Sequence, residues 1–521
     1  MEKTMLLRPR CRPNVALALG FLACLLSACT IRTLSTATDG GGIAGDDDAG
    51  IDAGTPACNT GQSFCNATCI DTTEDDANCG GCAVACTAGK HCADGSCQAS
   101  KIEHVVLIVQ ENHTFDAYFG RYCEAASGSN PTCTKGPTCC ERAPDKEPHG
   151  ASPVVLDDTS NFANDRDHRQ ACEIQQINNG RMDRFVTGST GADTCFGFGP
   201  DCASQNNWAL AGAATVGAYW ALADGNSLAD RYFQPIVGGT SSNNMYFAAA
   251  HFQFVDNDAM PNSIGSGCTD QSRSCLTGAV VQYQGRKTIG DLLVNSGKTF
   301  GVYAGGYAEA KRAAPSCPAP SSNCPYSSCT FHPIACHACI YDPADIPFLY
   351  YEQFVDKPNI KDYLDLKQDL DNHALPNFSF VKAREWTNEH PNVSTITDGI
   401  SFVANTIQSI ENSSYADSTL ILVTWDEGGG FFDHIAPPAS IDVDLNGSPV
   451  LYGTRVPLLA IGKFARKGTV SHVQMEHSSI VRFLEYNFVG AVGQLGHNDA
   501  KVNNIGSMLD PKATGIRIPE N

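Results

Sequence analysis

The sequence predicts an α/β fold: a mostly parallel sheet with helices on both faces. Three observations predict it. Apolar runs of strand length recur after residue 100, at 105–109, 300–303, 378–381, 420–424 and 456–461. Between them lie amphipathic stretches with apolar residues at helical spacing, such as 398–411 and 478–486. Alternation of the two buries a sheet between helices. Finally, two of the runs stop abruptly at oxygen-bearing side chains, and in open α/β sheets sites gather where strands end at their carboxyl side.

The chain ahead of that domain divides into three parts. Residues 1–29 read as a targeting segment, with Arg8, Arg10 and Arg12 at its basic start and an apolar core at 15–26. That core is short for a membrane span. Its end, Leu26-Ser27-Ala28-Cys29, resembles a bacterial lipobox, which makes Cys29 the expected site of lipid attachment and the membrane the expected partner of that lipid. Ordinary cleavage near Ala28 is the alternative. Thr30 follows, with no Asp to mark inner-membrane retention, so the expected location is the cell envelope at the outer membrane, or secretion. Residues 30–56 are Gly, Ala, Asp, Ser and Thr with almost no large apolar residue, a composition that forms a flexible tether. Residues 57–98 carry eight cysteines from Cys58 to Cys97, a module stapled because so short a segment has little core. It either contacts cell surface, matrix or glycan, or serves as a protease-resistant spacer. Residues 101–521 form the α/β domain.

Of 25 cysteines, three (Cys11, Cys24 and Cys29) fall in the targeting segment. Eight lie in the module and fourteen between Cys123 and Cys339. Both counts are even, as a disulfide framework in an oxidising compartment requires; zinc binding by some of them is the alternative. The stretch 268–339 is rich in cysteine and poor in periodicity, which suggests a disulfide-pinned lid. A net charge of −21 argues against nucleic acid as a partner through a basic face and gives no general attraction to anionic lipid.

The strand at 105–109 runs into Glu111-Asn112, and the strand at 420–424 runs into Asp426-Glu427. Carboxylate and amide oxygens suit a hard or borderline divalent cation. Either pair alone is ordinary strand-end chemistry. Two such pairs, each at the end of a buried strand, read as the halves of one metal site.

Three ordered motifs carry a family resemblance: Glu111-Asn112-His113-Thr114-Phe115-Asp116, then Asp426 to His434 around Gly428-Gly429-Gly430, then Gly453-Thr454-Arg455-Val456-Pro457 followed by Glu476-His477-Ser478-Ser479. Over residues 102–487 the chain resembles the bacterial phosphoesterase family of phospholipases C and acid phosphatases, within the alkaline phosphatase-like superfamily. The resemblance implies an alkaline phosphatase-like central sheet and a divalent metal ion held by Glu111, Asn112 and Asp426, with Glu427 either binding the ion or orienting the groups that do. It aligns Thr240 with the family's nucleophile and Asn243 with its Asn, so Thr240 also belongs to the metal's ligands. Free N–H groups at the helix start would then hold phosphate oxygens. Read without the family, Thr240 is an N-cap residue, and Ser241 and Ser242 compete with it. Ser242 and Asn244 stand where the family has Pro and Arg. His168, ahead of Asn179-Gly180, and His390, in Asn388-Glu389-His390-Pro391, match histidines that bind phosphate oxygens or protonate the leaving group. Asp345 stands where the family has a histidine and would repel a dianionic phosphate unless it binds a second cation or is displaced; His332 or His337 could substitute. His434 and His477 are expected to brace strand ends or ligands.

The expected function is therefore that of an exported metal-dependent phosphoesterase acting through Thr240, phospholipase C-like or acid phosphatase-like, on phosphate esters that include phospholipid. The alternative is a catalytically impaired surface binding protein of the same fold. A sulfatase-like hydrolase lacks its Cys/Ser-x-Pro-x-Arg signature here.

Overall fold

The apolar runs pair into one sheet. The computed structural model describes residues 58–87, 89–191, 201–265, 279–313 and 341–521. The targeting segment with Cys29, the tether, and most of 268–339 with His332 and His337 lie outside them. We number the strands of the central sheet β1 (His104–Gln110), β2 (Ser227–Ala229), β3 (Phe300–Ala304), β4 (Ile360–Asp362), β5 (Phe378–Lys382), β6 (Thr419–Trp425), β7 (Leu458–Ile461) and β8 (Thr469–Ser471). Their order is β4-β3-β5-β1-β6-β7-β2-β8. Only β7 runs against its neighbours. The expected strand at 456–461 begins two residues late, because Pro457 has no N–H for the ladder. Strands β2, β4 and β8 are three residues each and left no periodic trace in the sequence.

Strand β1 is central, paired in parallel with β5 and β6 and buried on both faces from Val105 to Val109. Each such Val, Leu or Ile contributes roughly 1.5–3 kcal/mol by leaving water. The register sets Trp425 beside Gln110, so both strands end at one level and the next residues of each, Glu111 and Asp426, emerge together. Lys382, the last residue of β5, pairs with Val109 on the other side.

Four helices matter for the site: α1 (Ala213–Gly225), α2 (Thr240–Ala249), α3 (Ile396–Glu411) and α4 (His477–Leu484). Helix α3 starts at Thr395, whose hydroxyl accepts from Asp398 N at 3.1 Å, and it buries Ile396, Phe402, Val403, Ile407 and Ile410 as one stripe. Helix α4 opens on a capping box in which Glu476 accepts from Ser478 N and Ser479 Oγ accepts from Glu476 N. It ends as α-helix at Leu484, two residues short of expectation, and continues as a π-helical turn over Glu485–Val489. Among the described residues no helix is long and apolar enough to cross a membrane.

The cysteine module consists of two hairpins, Gln62–Cys65 with Thr68–Asp71 and His91–Ala93 with Ser96–Gln98. Its eight cysteines close as 58–69, 65–82, 79–92 and 86–97. The ring of His91 stacks on Tyr486 at 3.7 Å and its Nδ1 meets Asp76 at 2.7 Å, which ties the module to the π-helical turn.

One buried carboxylate fixes the carboxyl end of the sheet. Glu389 accepts from Gln110 Nε2 at 3.1 Å, Trp425 Nε1 at 3.0 Å, Tyr118 Oη at 2.7 Å and Tyr219 Oη. The first two belong to the last residues of β1 and β6. Burial pushes its carboxyl up to about 7, with the four donors holding it back. Helix α3 reaches this side chain through Gly399, where a Cβ would fall on Glu389 Cγ and Cδ. Gly399→Ala should therefore lower stability in urea by about 1–3 kcal/mol through overpacking. An unchanged midpoint would mean that Glu389 can move aside.

Candidate active site

Local chain geometry brings the two strand-end pairs together. Asn112 adopts a left-handed φ of 64°, which Asn tolerates, and turns the chain out of β1. The Gly428-Gly429-Gly430 turn crosses it closely: Gly429 has φ 62°, and a Cβ there would collide with the Asn112 carbonyl. The N–H of Asp426 donates to Gln110 O at 3.1 Å, and its carbonyl accepts from His477 Nε2 at 2.6 Å. His477 accepts from Tyr232 Oη at its other nitrogen, at 2.8 Å, and burial pushes the ring down to about 3, so it is a neutral brace.

Thr240 is the first residue of α2, with its hydroxyl 3.5 Å from Asn112 Oδ1. Asn243 shapes the turn ahead of it, donating to Gly238 O and Gly239 O and accepting from Ile236 N. The expectation of free N–H groups at this helix start does not hold for Ser241 and Ser242. Ser241 N donates to Asn257 Oδ1 at 2.8 Å and Ser242 N to Asp256 O at 3.0 Å, so neither is open to a phosphate oxygen. Ser242 Oγ is also taken, by Gly239 O at 3.0 Å. Asn244 donates to Asp426 Oδ2 at 3.3 Å, a contact the sequence did not signal.

The two histidines converge, with ring centroids 5.8 Å apart. Each places Nδ1 on a backbone carbonyl: His168 on Arg166 O at 2.7 Å, His390 on Pro391 O at 2.6 Å. A carbonyl only accepts, so Nδ1 carries the proton and Nε2 is left for the cleft. His168 Nε2 lies 3.8 Å from Glu427 Oε1. The loop that delivers His390 has a left-handed Glu389 (φ 75°) and is anchored by Glu111 N donating to Asn388 O at 2.8 Å.

Sequence reasoning missed Lys382. Its ammonium is buried 2.6 Å from Glu111 Oε1, 3.6 Å from Asp426 Oδ2 and 3.8 Å from Asp345 Oδ2. Burial works against its charge, but these carboxylates outweigh it and hold the lysine above its usual range. Burial raises Glu111 too, yet Lys382 and His390 keep it below the ordinary carboxylate value. Asp426 is pushed up to about 7, chiefly by burial, and Glu427 well above its usual range by burial and then Asp426. Asp345 is likewise raised, by burial first and Glu111 second, with Lys382 opposing. Glu385 was not foreseen either; its ligand oxygen and those of Glu111 and Asp345 lie within 4.8 Å of one another.

The residues fit a divalent ion. Glu111 Oε1 and Glu427 Oε1 are buried without hydrogen-bond partners. Several acids packed this closely out of water call for positive charge. Glu111, Asn112, Asp426 and Thr240 supply oxygen donors only, as a hard or borderline cation prefers. Glu427 Oε2 accepts from Gly429 N at 2.5 Å, leaving its other oxygen toward His168.

A second buried ionic cluster lies behind the glycine turn. Arg455 reaches Asp433 Oδ1 at 2.8 Å and Asp116 Oδ1 at 3.0 Å, while His434 Nδ1 meets Asp116 Oδ2 at 2.7 Å and Nε2 meets Glu141 at 3.4 Å. The cluster joins the first, second and third motifs, which are distant in sequence.

The model of the phosphoesterase family matches residues 102–489, and the chain belongs to that family. A model of the stigma-specific STIG1-like protein family matches residues 45–100. The chain is 24% identical to the non-hemolytic phospholipase C of Pseudomonas aeruginosa over 74% of its own length and 54% of that protein, so it spans about half of that relative. It is 24% identical to phospholipase C B of Mycobacterium tuberculosis, covering 78% of both chains. Among solved structures, a protein in the alkaline phosphatase superfamily from Vibrio parahaemolyticus matches with a TM-score of 0.31 at 12% identity, over 57% of this chain and 67% of that one, too slight a likeness to carry weight.

The Arg455 cluster has a pH signature. Burial alone would depress His434, but Asp116 and Glu141 hold it up to about 9, against 6.5 for a free histidine. A raised pKa contributes stability below about pH 6.5, and that contribution is lost as pH rises through about 9. Urea unfolding from pH 6 to 9.5 should show wild type losing up to about 3 kcal/mol relative to His434→Gln. Parallel curves would show that the imidazolium adds nothing.

Proposed function

We propose that this member of the phosphoesterase family hydrolyses phosphoric esters in the manner of a phospholipase C, with Thr240 as nucleophile and a divalent ion at Glu111, Asn112, Asp426, Glu427 and Thr240. The observation that carries the reading is the meeting, at one sheet end, of Thr240 with Asn112 at 3.5 Å and of His168 with Glu427 at 3.8 Å. When bound, the ion would neutralise charge on the transferring oxygens and favour the ionised threonine hydroxyl.

The chain's own residues account for the rest. Thr240 Oγ1, its proton passed to the bare Nε2 of His168 or His390, attacks phosphorus, and the bond from phosphorus to the ester oxygen breaks opposite it. The departing oxygen takes that proton from Nε2. Water then gives a proton to Nε2 and attacks the phosphothreonine, and the Thr240 oxygen leaves with that proton as the hydroxyl is restored. On a phospholipid the first step releases diacylglycerol; on a monoester the second releases inorganic phosphate. The Ser241 and Ser242 N–H groups are engaged elsewhere, so phosphate oxygens would be held by other donors and by the ion.

Export belongs to the same proposal. Besides the four disulfides of the cysteine module, the α/β domain carries 123–140, 133–139 and 172–202, and such density suits an oxidising compartment. Lipid on Cys29 would hold the enzyme at the envelope, near phospholipid substrate.

Full-length protein should hydrolyse nitrophenyl phosphorylcholine, bis-nitrophenyl phosphate or nitrophenyl phosphate. Chelation should abolish turnover and a divalent ion restore it. Thr240→Ala should lower kcat by about a thousandfold or more, while Thr240→Ser retains measurable activity. Full turnover by folded Thr240→Ala would sink the mechanism, and no turnover on any substrate would favour the binding-protein alternative.

A further inference from the structure

Lys382 belongs to no motif, yet it lies among three acids of the candidate site. It ends β5, one strand from β1, and its side chain is only 3% exposed. Two of its three carboxylate neighbours, Glu111 and Asp426, are the residues assigned above to the ion. An ammonium has three N–H donors. One of them meets Glu111 Oε1 at 2.6 Å, and the other two carboxylates stand at 3.6 and 3.8 Å, beyond hydrogen-bonding distance. Two buried charged donors without an acceptor among the described residues are costly to keep. Beside it, Glu111, Asp345 and Glu385 form a cluster whose spacing would suit a cation.

We propose that Lys382 is the resident second cation of the phosphate site: it fills the Glu111–Asp345–Glu385 cluster, shares Glu111 and Asp426 with a single divalent ion, and offers its unmatched N–H donors to a phosphoryl oxygen. This inference rests on the metal-assisted reading above. Two-metal phosphatases clamp a transferring phosphoryl group between ions about 3.5–4 Å apart. A lysine is a compact charge with rotatable donors, and it can supply the second charge without a second ion. Asp345 then acts as a partner of the lysine.

The test uses the full chain, stripped with chelator and refilled with Zn²⁺ or Mn²⁺. Bound ion is counted by elemental analysis, and inorganic phosphate binding to the refilled protein is measured by calorimetry. Wild type and Lys382→Arg should each hold one ion per chain. Lys382→Ala should hold two at saturating ion. Refilled to one ion, it should bind phosphate about 10- to 100-fold more weakly, as a lost charge-assisted hydrogen bond predicts. Two ions per wild-type chain would overturn the inference and leave the metal-dependent reading intact. So would a Lys382→Ala protein that takes one ion and binds phosphate as tightly as wild type. No ion bound to wild type with either metal would overturn the metal-dependent reading itself. Should Lys382→Ala fail to fold, the wild-type stoichiometry and the phosphate affinity of Lys382→Arg, expected within about threefold of wild type, still decide.

Discussion

The strand ends that carry the candidate site depend on where Glu389 sits. Its carboxylate binds the side chains of the last residues of both β1 and β6, so the two strands cannot slide relative to each other without breaking a buried hydrogen bond to a charged group. Such bonds contribute about 1.5–3 kcal/mol each. All four partners donate and the carboxylate accepts from all of them, which limits the rise that burial causes. The left-handed backbone at the same residue sends its side chain into the core and presents the next one, His390, to the cleft. One strained residue thus fixes both the level of the strand ends and the direction of a candidate proton donor.

Charge in the α/β domain is divided between two buried groups with different jobs. Behind the glycine turn, Arg455 and His434 match Asp116, Asp433 and Glu141 in close, aligned pairs. Such a cluster is closed: its donors and acceptors meet one another, and what it does is hold three distant segments in register. In front of the turn the match is open. Glu111, Asp426 and Asp345 surround one lysine with Glu385 and Glu427 nearby, and the Oε1 atoms of Glu111 and Glu427 lack hydrogen-bond partners. Buried charge left unmatched in a folded protein is expected where a ligand completes it.

Much of this was legible in the sequence. The five long strands and α3 were visible because a bounded apolar run fits a buried strand, and a long helical stripe fits little besides an amphipathic helix. Their ends moved by at most a few residues. Glu111-Asn112 and Asp426-Glu427 were legible because oxygen ligands at the ends of buried strands are out of place unless something binds them. The rest was not legible for physical reasons. Strands β2, β4 and β8 are too short to show a period. Lys382 follows an apolar strand and reads as a solvated end; only the pairing of β5 with β1 turns it inward. Glu385 and Asn244 act through contacts with residues far away in sequence. The engaged N–H groups of Ser241 and Ser242 depend on Asp256 and Asn257, which no helix-start pattern anticipates.

Asp345 weakens the inference about substrate, since it stands where the family has a histidine and an acid there would repel a dianionic phosphate. Its surroundings remove that objection. Burial and then Glu111 raise the Asp345 carboxyl well above its usual range, and Lys382 lies 3.8 Å from it. An acid alone at this position would lower the positive potential that a phosphoryl group needs. An acid accompanied by a buried lysine is offset by it, with the positive charge coming from the end of β5 and not from the Asp345 loop. On the proposed phosphoesterase reading, that lysine would supply the charge a phosphoryl group needs where the family has a histidine.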